Sequence, residues 1–199
     1  DEALQRALAT DEGRRVRQVA MIDAGGHVAA HTGDMCIADA GHIVGNGYAV
    51  QANMMANPAV WPAMRDAFES AGGDFADRML AALDAAQAAG GDIRGQQSAA
   101  MLIVSGDRAE PAWKRVLELR VEDHTRPLEE LRRLLKMRKA YDLADLGDAA
   151  MTDRDAERAM RAFAQARALA PDNDELQFWA AITLFRTGHE DAALPLFRE

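Results

Sequence analysis

The hydrophobic period of this chain changes abruptly near residue 124. Before that point, short apolar runs alternate with polar residues and are punctuated by glycine, as in strands; after it, apolar residues recur every three or four positions and no strand signal follows. Such a chain must fold as a strand-bearing region followed by an all-helical one. The sequence therefore predicts two domains, residues 1–125 and 126–199.

Within the first region, RRVRQVAMI ends at Ile22 and is followed by Asp23, Ala24, Gly25 and Gly26, then by HVAAHTG. Two alternating runs around a glycine turn predict a β-hairpin. CIADAGHIVG and YAVQANMM, separated by Gly45, Asn46 and Gly47, predict another, with Cys36 inside an apolar strand. Two helices follow. Asn57 and Pro58 supply a cap and first position for PAVWPAMRDAFESA, and Asp74 caps FADRMLAALDAAQAA. QSAAMLIV and KRVLELRVE, joined by a turn from Gly106 to Pro111, complete a strands, helices, strands order.

In the second region Ala159 and Ala193, and Phe163 and Phe197, are each 34 residues apart. With Leu143, Leu146, Gly147, Ala166, Pro171 and Gly188 they follow the spacing of a tetratricopeptide repeat, in which small residues let paired helices approach and the aromatic fills the groove. The second repeat stops mid-helix at Glu199, so a continuation of the chain is expected.

Charge and cysteine content exclude several functions. The net charge of -9 repels a phosphate backbone, so nucleic acid is not an expected partner. No apolar run approaches the roughly 18 residues of a membrane span, and Asp1 opens a helical stretch without a leader pattern. The single Cys36 cannot form an internal disulfide, which points to a reducing, cytoplasmic setting. No metal-ligand spacing or glycine-rich phosphate loop occurs, so neither a metal nor another cofactor is expected.

The stretches RQVAMIDAGGHVAAHTGDMCI, AGHIVGNGYAVQANMM, AAGGDIRGQQSAAMLIV and LRVEDHTRPLEELRRLL resemble, in order and spacing, a bacterial family known as domain of unknown function 1028. The resemblance runs from about Asp1 to Leu135. It implies an α+β fold of N-terminal-nucleophile hydrolase type, a four-layer αββα sandwich, here incomplete at its N-terminus because family members begin with further strands. It also implies a helical C-terminal extension, described in some members as peptidoglycan-binding. In such hydrolases a Thr, Ser or Cys at position one attacks and its own α-amine acts as base. Asp1 cannot do this, so the expected nucleophile lies outside the chain shown.

The supporting residues are sought here. Asp92 and Arg94, in GGDIRGQQS, either pair as a structural bridge or form a substrate rim where Arg94 clamps a carboxylate. Gln97 and Ser98 are expected to open the following strand. His31 and Thr32 end a strand, and His31 is either a hydrogen-bonded strand-end residue or an acid/base group. Gln51 and Asn53, two apart, share a strand face, either contacting substrate or solvated. Ala52 stands where the family more often has Gly, which argues against a strained backbone there. Adjacent Asp123 and His124 point oppositely on an extended chain and do not form a triad pair. His27 and His42 border glycines and read as turn or surface positions.

The expected activity is hydrolysis of a small C–N-bonded substrate, with Arg94, Asp92, Gln51, Asn53, His31 and Thr32 lining the pocket. The alternative is a non-catalytic module that binds a ligand in the sandwich and a peptide or peptidoglycan through the helices. Arg154, Arg158, Arg161, Arg167 and Arg186 would serve such a partner or form a solvated face. A homodimer is expected because antiparallel sandwiches leave edges that need cover.

Overall fold

The computed structural model describes residues 2–107, 109–111 and 113–197; Asp1 and Glu199, expected in a helix and at the end of a repeat, lie outside the described residues, as does Arg108 in the predicted turn. The chain divides into two compact units, residues 1–131 and 132–199. It is a mixed α and β protein with small antiparallel sheets.

The first unit opens with α1 (Glu2–Ala9), which buries Leu4, followed by a short 3-10 turn over Arg14–Val16. β1 (Gln18–Ile22) and β2 (Val28–Thr32) form the first hairpin, with Gln18 opposite Thr32. Its turn is closed by the Asp23 carboxylate, which accepts from the backbone N–H groups of Gly25 and His27. β3 (Gly41–Gly45) and β4 (Tyr48–Ala52) form the second, with Gly41 opposite Ala52. β5 (Ala99–Val104) and β6 (Arg115–Val121) form the third. Each hairpin is a separate two-stranded sheet among the described residues.

Between the second and third hairpins lie α2 (Val60–Ser70) and α3 (Phe75–Ala88), packed on each other, with α2 against β3 and β4. Val60 and Leu80 are buried within this layer. Each contributes about 1.5–3 kcal/mol through the apolar surface it removes from water. The Asp74 cap is as predicted: its carboxylate accepts from the Asp77 N–H while the Asp77 carboxylate accepts from the Asp74 N–H, a reciprocal capping box.

Several boundaries differ from the sequence reading. Val16 lies in the 3-10 turn rather than a strand. Cys36 lies in no strand; its N–H donates to the Gly33 carbonyl, and the segment 37–39 is bonded instead to the backbone of Met54 and Met55. α2 begins at Val60, not after Asn57: the Asn57 amide accepts from Ala59 N–H and donates to the Ala89 carbonyl at the end of α3, so it joins two helices rather than capping one. Gln97 and Ser98 precede β5 and are exposed, although the Gln97 carbonyl accepts from His124 N–H. His42 is inside β3 and half-buried, not at a turn.

α4 (Pro127–Thr152) begins at Pro127, and the division between the units falls in its early turns. In the second unit α5 (Ala156–Leu169), α6 (Asp174–Arg186) and α7 (Glu190–Ala193) follow, with a 3-10 turn over Leu194–Phe197. Ala150, Ala159, Phe163, Ala180, Leu184 and Ala193 pack as one core cluster. A Cβ on Gly147 would lie 2.4 Å from the Phe163 ring, so that glycine is required for the aromatic to seat. Phe197, expected to be the groove-filling equivalent of Phe163, is 45% exposed and meets Phe178 edge-on.

Candidate functional site

The ends of the first two hairpins meet at one side chain. Gln18, at the start of β1, extends its amide nitrogen to the Gly41 carbonyl (3.1 Å), the Ala52 carbonyl (2.9 Å) and Thr32 Oγ1 (3.0 Å). Two carbonyls can only accept, so they fix which end of the amide faces them. Its oxygen then accepts from Asn53 Nδ2 at 2.7 Å. Thr32 Oγ1 lies 2.8 Å from His42 Nδ1, which completes a chain of amide, amide, hydroxyl and imidazole. Among the described residues the His42 ring has no second hydrogen-bond partner, which leaves Nε2 open to a ligand.

Thr32 and His42 form part of the wall of a cleft of about 500 Å³, together with Gly33, Asp34, Cys36, Asp39, Gly41 and Trp61. Close backbone approach builds this wall. A Cβ on Gly33 would fall 2.1 Å from the Arg15 carbonyl oxygen, and one on Gly41 would fall 2.4 Å from the Trp61 ring. Asp34 is held by two bonds from Arg15, both 2.9 Å, which keep its carboxyl below the usual range. The Cys36 thiol donates to the Arg17 carbonyl at 3.4 Å.

A second cleft, of about 710 Å³, contains Asp92 and Arg94, with Gln87, Gln96, Gln97, Ser98 and Asp123. Asp92 accepts from Arg94 Nε (2.9 Å), Nη2 (2.6 Å) and backbone N (2.8 Å). Those bonds lower its pKa to about 2 and raise that of Arg94. The guanidinium fork is thus already engaged by a carboxylate within its own loop, the structural bridge among the two arrangements the sequence allowed. Asp123 lies on this cleft, and His124 Nδ1 accepts from Arg126 N–H rather than facing Asp123 as a triad partner.

The seam between the clefts is the segment 54–56. Met54 N–H donates to the Ile37 carbonyl, and its own carbonyl accepts from Ile93 N–H; Met55 exchanges bonds with Asp39, and Ala56 N–H donates to Gly91. Met54 adopts φ 60°, the left-handed region that a non-glycine residue rarely occupies.

Of the residues singled out in the sequence, Thr32 lines the first cleft, Asp92 and Arg94 the second, and Asn53 joins the Gln18 network. Gln51 is exposed opposite His42 across the hairpin and lines neither cleft. His31 lies outside both linings, with its Nε2 2.8 Å from the Arg14 carbonyl oxygen. Ala52 is a buried ladder residue whose carbonyl is taken by Gln18. Gln18, Asp39 and Trp61 are not singled out by the sequence, and His42 reads there only as a turn or surface position. The positions of His31, Thr32, Gln51 and Asn53 along their strands do not reveal the partners of their side chains.

Residues 1–131 match the family model described as Family of unknown function (DUF1028). The chain belongs to this family. It is also similar to the crystal structure of a protein from Silicibacter pomeroyi assigned to DUF1028, at 32% identity and a TM-score of 0.59 over 68% of this chain. The match spans 58% of that protein's length. No curated protein matches the chain. Among the described residues, no three His, Cys, Asp or Glu side chains are grouped to hold a metal, and no helix is long and apolar enough to cross a membrane.

In the second unit a groove of about 520 Å³ is predominantly apolar, lined by residues including Met160, Phe163, Pro171, Leu176 and Leu184, with Arg167 and Gln177 on it. Arg161, one of the arginines considered for partner binding, pairs with Glu157 on its own helix.

Proposed function

We propose that this DUF1028 chain contributes an N-terminal-nucleophile hydrolase-like sandwich that cleaves a C–N bond of a small substrate, with the attacking residue supplied by sequence outside residues 1–199. The observation that carries the reading is the Gln18, Asn53, Thr32 and His42 chain, which reaches the wall of the first cleft at Thr32 and His42. An imidazole held at one nitrogen by a hydroxyl and open at the other is suited to move a proton to a leaving amine or to orient water. Thr32 and His42 are its working residues, and Gln18 and Asn53 position them. Asp92 and Arg94 then shape a neighbouring rim rather than clamp an anion.

The test is amine release from a panel of small amides by the full-length mature protein, with its amino-terminal residue determined by mass spectrometry. Turnover that requires a terminal Thr, Ser or Cys and falls about a hundredfold in His42→Asn supports the reading. No turnover, together with any other terminal residue, overturns it.

A second reading, a non-catalytic binding protein, is favoured by the tetratricopeptide-like spacing of the helical unit. Its Phe178 and Trp179 are about half exposed and stacked edge-on at 5.2 Å. Under this reading the helices recruit a peptide or glycan, and retention of the full-length protein on immobilised peptidoglycan, lost in Trp179→Ala, is the expected result.

A further inference from the structure

We propose that the Thr32–His42 cleft selects a cationic ligand, one bearing a primary ammonium or guanidinium group, with Asp39 as counter-charge and Trp61 as aromatic wall. The proposal names the substrate class of the site read above as a hydrolase. Its binding step stands independently of any turnover.

Asp39 is half-buried on this cleft, and no Lys, Arg or His bonds its carboxylate among the described residues. Its main chain is clamped, donating to the Met55 carbonyl (3.3 Å) and accepting from Met55 N–H (3.1 Å), so the side chain springs from a fixed position. The other acid on the cleft, Asp34, is already neutralised by Arg15. Among the described residues no Lys or Arg lines this cleft, so an arriving anion would find no counter-charge among them and would face Asp39.

A carboxylate on a cleft wall with no internal counter-charge is open to pairing with an arriving cation. Trp61 adds the second element. Its ring lies directly over Gly41, where no side chain can displace it, and aromatic rings attract ammonium and guanidinium groups. The chain's net charge of -9 favours the approach of cations over that of anions. In the neighbouring cleft Arg94 already occupies Asp92, and the other acid there, Asp123, is exposed to solvent.

The probe pair is phenethylammonium and 3-phenylpropionate, alike in shape and opposite in charge, titrated into the ¹⁵N-labelled full chain. Saturable shifts of the Asp39 and His42 amides and the Trp61 indole N–H are expected with the ammonium alone, with affinity that falls as NaCl is added. Asp39→Asn should weaken binding at least tenfold, while Asp123→Asn, in the other cleft, should leave it within twofold. Equal binding of the carboxylate, salt-independent binding, unchanged affinity in a folded Asp39→Asn, or no saturable shift would each overturn the proposal. Should Asp39→Asn not fold, the charge and salt comparisons on the unaltered chain decide alone. Amine release is read separately: ammonium binding without turnover of any amide removes the hydrolase reading alone, and turnover of neutral amides without ammonium binding removes this one.

Discussion

In the Asp92–Arg94 cleft the two opposite charges sit two residues apart and satisfy each other, whereas at the Thr32–His42 cleft polar groups from three separate strands are joined into one hydrogen-bonded chain. The first arrangement is local, its charge pair made within one loop. The second exists only once two hairpins have docked, because Gln18 must reach Gly41, Ala52 and Asn53 together. Self-satisfied charge makes a rim; long-range polar assembly with an open group makes a place where a ligand has something to do.

The comparison is broken most severely by a methyl group at the two backbone glycines. Gly33→Ala, whose Cβ would fall 2.1 Å from the Arg15 carbonyl oxygen, should cost about 3 kcal/mol by urea unfolding. Gly95→Ala has open space around it and a φ of +97°, so it should cost only about 1–2 kcal/mol, the strain of a left-handed alanine. Equal losses would mean that the first cleft is no more tightly built than the second.

Next in size is Gln18→Leu, which removes a donor from two backbone carbonyls and the acceptor of the Asn53 amide; about 1–3 kcal/mol of stability should go, with a visible change in the His42 ring resonances. The matching change in the other cleft, Gln97→Leu at an exposed side chain, should stay within about 0.5 kcal/mol.

The smallest effect is electrostatic. Asp92 should titrate at about 2 by carbon-detected NMR, and Arg94→Ala should return it toward the ordinary range. Because the folded pKa is depressed, the pair's stabilisation is complete above the unfolded value of 3.8 and is lost as pH falls through about 2. With Arg94 69% exposed, solvent screening keeps that contribution small.

The same contrast explains what could be read from the sequence. The hairpin at Asp23–Gly26, the Asp74 cap and the Pro127 helix start are decided by residues within a few positions of one another, and all three were legible. The Asp92–Arg94 bridge was legible as one of two options for the same reason. Asn57 misled because the local signal for a cap was present, yet its amide found a partner 32 residues away. Cys36 was assigned to a strand on its apolar neighbours, but the segment after it is fixed by Met54 and Met55 rather than by a continuous ladder. Gln18 and His42 carry no local signature at all. Their importance lies in contacts spanning 10 to 35 residues, which a single sequence does not display.

The Met54–Met55 seam also bears on how such a protein can change over generations. Insertions can be absorbed at Gly26 or Gly47, where a turn meets open space. Between Asn53 and Ala56 there is no such slack, since the backbone is bonded toward Ile37 and Asp39 on one side and toward Gly91 and Ile93 on the other. One residue gained or lost there would move the rims of both clefts together, so descendants of this chain can vary its turns in length but must inherit this segment whole.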